Sequence, residues 1–231
     1  MVIAEQPTTY RMMWGVLGLA MALLVTSSLA VQISDLILQG EFDPATYFSY
    51  FTIHTSLANV AALATGALLA FQSERDTVGV ASLRLILVSY SLITGVVYNL
   101  LLRGNDLAMP VIETTIPFPN EVFHVVVPGY LLVEWLLNPH RPRVPWAVLP
   151  LALAYPLAWV AFTLWRGGET GWYPYYFLNP THASGWSGVV NHVIGIGVLI
   201  VASVATLLLV NRGMVLLSGR IRLSNLEHEA A

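Results

Sequence analysis

The sequence predicts an all-α membrane protein: one polytopic bundle of six transmembrane helices with both termini in the cytoplasm. The chain is 56% hydrophobic and 10% charged, with a mean hydropathy of +0.69, whereas a soluble domain carries roughly 25% charged residues. Six segments are long and apolar enough to cross a bilayer, which takes about 20 residues each. These segments occupy most of the 231 residues, so we expect a single membrane domain over residues 1–231.

The spans are predicted from the apolar runs. They cover residues 12–33, 47–71, 81–102, 118–138, 145–165 and 187–211. The first could be mistaken for a signal peptide, because Ser28 and Ala30 have the small-x-small spacing of a cleavage site. Its basic flank contains only Arg11, so we expect it to remain as a span.

The arginines predict the orientation. With the N-terminus inside, eight arginines fall on the inner side and only Arg103 and Arg166 on the outer side. Basic residues are retained on the cytoplasmic side of membrane proteins, which places both termini in the cytoplasm. The inner arginines are Arg11, Arg75, Arg84, Arg141, Arg143, Arg212, Arg220 and Arg222.

Two missing residue types exclude several chemistries. The chain contains no cysteine, which excludes disulfides, thiolate metal sites, iron–sulfur clusters and a cysteine nucleophile. It also contains no lysine, which excludes a retinal Schiff base and a lysine-containing phosphate loop. We expect no cofactor and no metal, membrane lipids as the surroundings, and no nucleic-acid partner.

Polar residues recur at one depth in spans that enter from the outer side. Thr52, His124, Asn191 and His192 each lie five or six residues inside a predicted span, which is about 8–9 Å of helix rise. Tyr98 ends span 3 near the same level. Polar groups in a membrane usually face a protein interior or a cavity, so this clustering predicts a functional site below the outer interface.

Helical spacing indicates which of these residues share a face. Thr52 and Asn59 lie on one stripe of span 2. His54 is about 200° from Thr52 by the helical period, so it is predicted to point elsewhere. Glu121 and His124 share a face of span 4.

Simpler interpretations exist for several polar and aromatic residues. Glu121 lies close enough to the surface to be a solvated carboxylate at a helix start, where the dipole favours negative charge. Glu134 is predicted to lie at the inner interface. The third outer loop is aromatic, which is typical of a belt at the membrane surface. Its aromatic residues are Trp172, Tyr173, Tyr175 and Tyr176.

Several blocks resemble a known family. They are YFSYFTIHTSLANV, ITGVVYNLLLRG, NEVFHVVVPGYLLVEWLL, AYPLAW and GWYPYYFLNP. In this order they resemble the recurrent blocks of the six-span bacterial relatives of the androgen-induced-gene family. The resemblance covers roughly residues 47–180 and implies a bacterial cell membrane protein.

The resemblance also implies an activity. Animal members of that family are threonine hydrolases that cleave fatty acid esters of hydroxy fatty acids, and their motif Thr and His match Thr52 and His124. A threonine hydroxyl attacks an ester once a base removes its proton, and imidazole is a suitable base. The partner implied is a fatty-acyl ester or a similar amphiphile. The expected supporting or substrate-binding residues are Glu121, Asn191, His192, Tyr98 and Asn59.

Two alternatives to a hydrolase remain open. His54, His124, His192 and Glu121 could form a metal or haem site, although zinc catalysis needs about three converging protein ligands. A transporter or a non-catalytic membrane protein is the other alternative. Against transport, the two halves of the sequence show no matching pair of Gly/Pro-broken spans.

Overall fold

The computed structural model describes residues 9–72, 76–104, 114–137 and 141–229, with side chains described as far as residue 217. Within these ranges every regular element is helical, which confirms the all-α prediction. The α-helices are α1 (Thr9–Gln39), α2 (Pro44–Tyr47), α3 (Phe51–Phe71), α4 (Val78–Val97), α5 (Phe118–Glu121), α6 (Val127–Leu137), α7 (Val148–Thr170) and α8 (Gly185–Glu229). Arg75, and the side chains of Arg220 and Arg222, lie outside the described residues.

Five helices of the described chain are long and apolar enough to cross a membrane. They correspond to five of the six predicted spans and indicate an integral membrane protein. Their bounds are Thr9–Gln39, Phe51–Phe71, Val78–Leu102, Val148–Thr170 and Gly185–Leu217. The first and the last of these helices extend beyond their predicted spans at both ends, because the helical backbone continues past the apolar residues.

The described part of the predicted span 118–138, residues 118–137, is helical but is not one of these five. It consists of α5, a π-helical turn over Val122–Val126, and α6 in direct succession. A second π-helical turn, Tyr98–Leu102, continues α4. π-helical turns are uncommon and often occur at functional sites. Here the two turns carry Tyr98 and His124, which are both predicted site residues.

The helical backbone is interrupted immediately before α3, and the sequence prediction missed this break in the helix. Asp43 caps α2 by accepting hydrogen bonds from the backbone N–H groups of Ala45 and Thr46 (3.3 and 3.0 Å). Tyr50 is then extended and acts as the N-cap of α3. The predicted span began at residue 47, whereas α3 begins at Phe51. Thr52 therefore lies in the first turn of its helix, where backbone N–H groups have no intrahelical partner.

Hydrogen bonds from α7 stabilise the non-helical segment between α2 and α3. The indole N–H of Trp159 donates to the carbonyl oxygen of Ser49 (3.0 Å), and Arg166 donates to the Ser49 hydroxyl (3.0 Å). Elsewhere α1 packs along α3, while α4 contacts α3, α6, α7 and α8. The central position of α4 explains why Leu85 and Val88 are almost fully buried.

A buried ionic cluster joins helix ends at the end of the bundle opposite Thr52. Glu134 of α6 pairs with Arg84 (2.7 Å) and Arg141 (2.5 Å), and Arg84 also pairs with Asp76 (3.0 Å). Only 2% of Glu134 is exposed, so it is buried inside the protein, and its location at the inner membrane interface stays a prediction. Buried charges require such pairing, and Gly66 of α3 leaves room for the Arg84 guanidinium, which lies 3.2 Å from where a Cβ would be.

Candidate functional site

Thr52 and His124 lie within hydrogen-bonding distance. The Oγ1 atom of Thr52 is 3.3 Å from Nε2 of His124. On the other side of the ring, Nδ1 is 2.9 Å from the carbonyl oxygen of Asn120. A carbonyl oxygen can only accept, so Nδ1 carries the proton and donates it. The unprotonated Nε2 of the neutral ring then faces the Thr52 hydroxyl, which is the tautomer a general base requires.

The His124 ring is fixed by stacking as well as by hydrogen bonds. Tyr98 stacks on it with ring centroids 3.9 Å apart and planes inclined by 13°. The guanidinium of Arg103 lies 5.1 Å from the Tyr98 ring centroid and pairs with Glu121 at 2.8 Å. Glu121 therefore contacts Arg103, and the contact that orients the imidazole comes from the Asn120 carbonyl. Glu121 is linked to His124 by contacts through Arg103 and Tyr98.

The end of α4 and the π-helical turn that continues it lie close to the turn that carries His124. A Cβ at Gly95 would lie 2.9 Å from the carbonyl oxygen of His124, so only glycine permits this approach. Asn99 donates from Nδ2 to the carbonyl oxygens of Gly95 (2.8 Å) and His124 (3.3 Å). These contacts attach the backbone of His124 to α4 and limit how far its side chain can move from Thr52.

Tyr175 lies beside Thr52. The Thr52 side chain and the backbone N–H groups of Phe51 and Thr52 are near its hydroxyl. Those N–H groups belong to the first turn of α3, where they have no intrahelical partner. Burial raises the pKa of the Tyr175 hydroxyl, so the group stays protonated and is available as a hydrogen-bond donor next to Thr52.

The Thr52–His124 pair lies between two cavities. The larger one, called the apolar cavity, has a volume of about 90 Å³ and almost entirely apolar walls. Its walls include Phe51, Thr52, His124, Trp159, Tyr175 and Ile196. The smaller one, called the small cavity, has a volume of about 30 Å³, which is room for a water molecule. Its walls include Gln32, Thr52, Tyr98, Asn120, His124 and Tyr175.

Asn59 and His54 are both engaged away from the pair. Asn59 is buried and donates to the Ser91 hydroxyl (2.8 Å), which links α3 to α4 two turns from Thr52. His54 is hydrogen-bonded to Tyr155 through Nδ1 (2.5 Å) and to the Phe48 carbonyl through Nε2 (2.6 Å). The prediction that His54 points away from the Thr52 face is confirmed.

Asn191 and His192 lie on a different surface from the pair. Both line an open groove between α4 and α8. His192 donates from Nδ1 to the Gly188 carbonyl oxygen of its own helix (2.8 Å) and stacks on Phe177. The structure therefore does not bring either residue to the His124 ring.

The histidines of the predicted metal site do not converge. Among the residues that the structure describes, no group of three His, Cys, Asp or Glu side chains is placed to hold a metal ion. His54, His124 and His192 each have separate hydrogen-bond partners on different elements. The described geometry therefore gives the metal or haem alternative no support.

Three site residues were missed by the sequence interpretation. Tyr175 was assigned to a surface belt, yet it packs against Tyr50 and Trp159 inside the bundle. Asn120 precedes His124 by four residues, a helical spacing that could have indicated the carbonyl contact. Gln32 is 1% exposed and accepts a hydrogen bond from Tyr47 (3.0 Å) at the small cavity. A lone amide in an apolar span was a usable signal.

Fold and site together define an all-helical integral membrane protein with a Thr–His pair at an internal cavity. Comparisons of the chain with protein-family models, with curated proteins and with solved structures found no match.

Proposed function

We propose that this protein is an intramembrane hydrolase of lipid esters, with Thr52 as the nucleophile and His124 as the general base. The observation that carries the proposal is the 3.3 Å contact between Thr52 Oγ1 and His124 Nε2, in a ring whose Nδ1 proton is held by Asn120. A hydroxyl adjacent to a correctly oriented base is the general arrangement of nucleophilic catalysis. Both residues also line an apolar cavity, as an acyl chain requires.

The reaction has two steps. Thr52 Oγ1 attacks the ester carbonyl carbon while its proton passes to His124 Nε2. The tetrahedral intermediate collapses as His124 returns that proton to the departing alkoxide, which leaves an acyl-threonine and a free alcohol. A water molecule then gives a proton to His124 and attacks the acyl-threonine. The fatty acid leaves, and the proton returns to Thr52.

Tyr175 is the proposed donor to the oxyanion. Its hydroxyl lies near the Thr52 side chain and near the N–H groups of Phe51 and Thr52, and Tyr175 lines both cavities together with Thr52. During attack the carbonyl oxygen becomes negative beside Oγ1, where the Tyr175 hydroxyl can donate to it. Donors that are already positioned before the charge develops give large rate effects.

The proposed substrate is a fatty acid ester of a hydroxy fatty acid or a similar amphiphilic ester. The apolar cavity suits one acyl chain, and the small cavity, which Gln32 and Asn120 line, suits the attacking water or the departing hydroxyl. This substrate class comes from the resemblance to the bacterial relatives of the androgen-induced-gene family. We propose membership of that family on the same basis.

We infer a six-span topology in a bacterial cell membrane, with both termini in the cytoplasm. Residues 118–137 form continuous helical backbone that is roughly 30 Å long at a rise of 1.5 Å per residue. The arginine distribution supports the orientation. Because the chain has no cysteine, Glu41→Cys and Arg143→Cys give single-site labels. In intact cells an impermeant maleimide should label only Glu41→Cys, and labelling of Arg143→Cys alone would reverse the orientation.

Labelling by a fluorophosphonate probe tests the proposed nucleophile. The wild-type protein and Thr52→Ser should be labelled, whereas Thr52→Ala and His124→Ala should not be. Thr65→Ala is the matched control, because Thr65 is exposed on the same helix and bonds only to the Ala61 carbonyl within it. Circular dichroism and gel-filtration profiles identify any variant that fails to fold. Labelling that persists in folded Thr52→Ala refutes the proposed nucleophile.

A further inference from the structure

An open groove lies between α4 and α8, close to the Thr–His pair. The groove, called the α4–α8 groove, has a volume of about 480 Å³. Its walls include Val97, Leu101, Asn191, His192, Gly195 and Ile196. On α8 these residues recur at intervals of one, three and four, so they form one stripe of the helix. The adjacent Tyr98 stacks on His124, which places the groove at the same end of the bundle as the pair.

Polar side chains stand at the rim of this apolar groove. Asn191 is exposed, and His192 uses Nδ1 to bond its own helix, which leaves Nε2 able to accept a hydrogen bond. An uncompensated amide or imidazole costs free energy when it faces hydrocarbon. Both residues lie in the first two turns of α8, near the membrane surface, where the polar part of an amphiphile is found.

The groove and the apolar cavity share a wall. Val97 and Ile196 line both spaces. The glycines on either side of Ile196 leave free volume around it, because a Cβ at Gly195 or Gly197 meets nothing within 4 Å. A rotamer change of Val97 or Ile196 is a fast, small motion. Movement of these two side chains would therefore connect the groove to the apolar cavity, which Thr52 and His124 line.

We propose that the α4–α8 groove is a lateral portal through which the acyl chain of a membrane lipid ester reaches the apolar cavity. Asn191 and His192 hold the polar part of the lipid at the rim while the chain passes Val97 and Ile196. The occupant is a single fatty-acyl amphiphile from the bilayer, because the groove continues into a cavity with apolar walls. The portal rests on the proposed function, since it delivers the substrate of that reaction.

Blocking the groove in a protein that cannot hydrolyse esters tests the portal separately from the reaction. The chain has no cysteine, so Gly195→Cys can be modified at one position with a bulky, membrane-permeant maleimide after folding. Ile194→Cys is the matched control, because Ile194 is 59% exposed on the neighbouring face of α8. Both are made with Thr52→Ala and placed in phosphatidylcholine nanodiscs. The probe is a long-chain fatty-acyl ester with a diazirine near its chain end and an alkyne.

Photolabelling of the cavity wall on α7, at Leu153, Leu157 and Val160, is the readout. Modified Gly195→Cys should show labelling reduced roughly tenfold, equivalent to about 1.4 kcal/mol, relative to the same variant before modification. Modified Ile194→Cys should show no change. Before modification, the Gly195→Cys variant reports whether the substitution itself affects folding.

Three results would overturn the portal. They are equal labelling in modified and unmodified Gly195→Cys, absence of cavity labelling in every variant, and a groove sealed by a second copy of the chain, seen as cross-linking between copies. Ester hydrolysis by the protein with Thr52 intact is measured in parallel. Loss of hydrolysis with labelling retained refutes the reaction and leaves the portal in place.

Discussion

Two contacts of the His124 ring define the geometry at the residue scale. Nδ1 donates to the Asn120 carbonyl oxygen, and Nε2 lies 3.3 Å from Thr52 Oγ1. Because a carbonyl oxygen only accepts, the Nδ1 proton is fixed toward Asn120. The lone pair of Nε2 then faces the Thr52 hydroxyl, beside which Tyr175 lies.

Removal of the Tyr175 hydroxyl is the sharpest residue-scale prediction. We expect Tyr175→Phe to lower kcat for ester hydrolysis about a hundredfold, with little change in KM, because it removes a donor used in the transition state. Tyr173→Phe is the matched control, since Tyr173 is a buried tyrosine of the same loop. Equal rates in the two variants would assign Tyr175 a packing role only.

At the scale of elements, helix ends and π-helical turns determine where the pair lies. The break before α3 places Thr52 in a first turn with free N–H groups, and Trp159 and Arg166 hold that break. The π-helical turns bring Tyr98 onto His124 and direct the His124 carbonyl toward Asn99. Helical phase within one span anticipated the directions of Thr52 and His54 correctly, because a single helix fixes them.

Gly95 tests the contact between α4 and the π-helical turn that carries His124. A methyl group there would lie 2.9 Å from the His124 carbonyl oxygen, so Gly95→Ala must displace the turn that carries His124. We expect a loss of about 1–3 kcal/mol of stability and a fall in kcat, measured by thermal unfolding in detergent and by ester hydrolysis. Gly129→Ala is the control, because a Cβ at Gly129 meets nothing within 4 Å. Unchanged hydrolysis in Gly95→Ala would show that the approach does not position His124.

On the scale of the whole molecule, the two ends of the bundle have different roles. The end with Thr52 and His124 contains both cavities of the site and the α4–α8 groove. The opposite end is fastened by Glu134 with Arg84 and Arg141. The ionic cluster joins α4, α6 and the chain before α7, so relative movement of these helices is most restricted there.

Neutralising Glu134 should destabilise the bundle without direct damage to the site. Glu134→Gln leaves Arg84 and Arg141 without their shared carboxylate, and loss of one partner of a buried pair costs about 3 kcal/mol or more. We expect a lower thermal unfolding midpoint in detergent, with fluorophosphonate labelling retained below that midpoint. Glu121→Gln removes a solvent-exposed pair and should have a much smaller effect. Equal midpoints in the two variants would contradict the structural role of the buried cluster.

Composition and periodicity alone determined the all-helical membrane class, five of the spans and the common level of Thr52 and His124. These properties depend on local apolar length and helical phase, which neighbouring residues fix. Tertiary structure decided the burial of Glu134, the inward packing of Tyr175 and the separation of Asn191 and His192 from the pair. Each property depends on which helix packs against the residue. A contact between residues distant along the chain gives no periodic pattern in the sequence. The tautomer of His124 likewise follows from the Asn120 carbonyl, a backbone atom whose position only the folded π-helical turn defines.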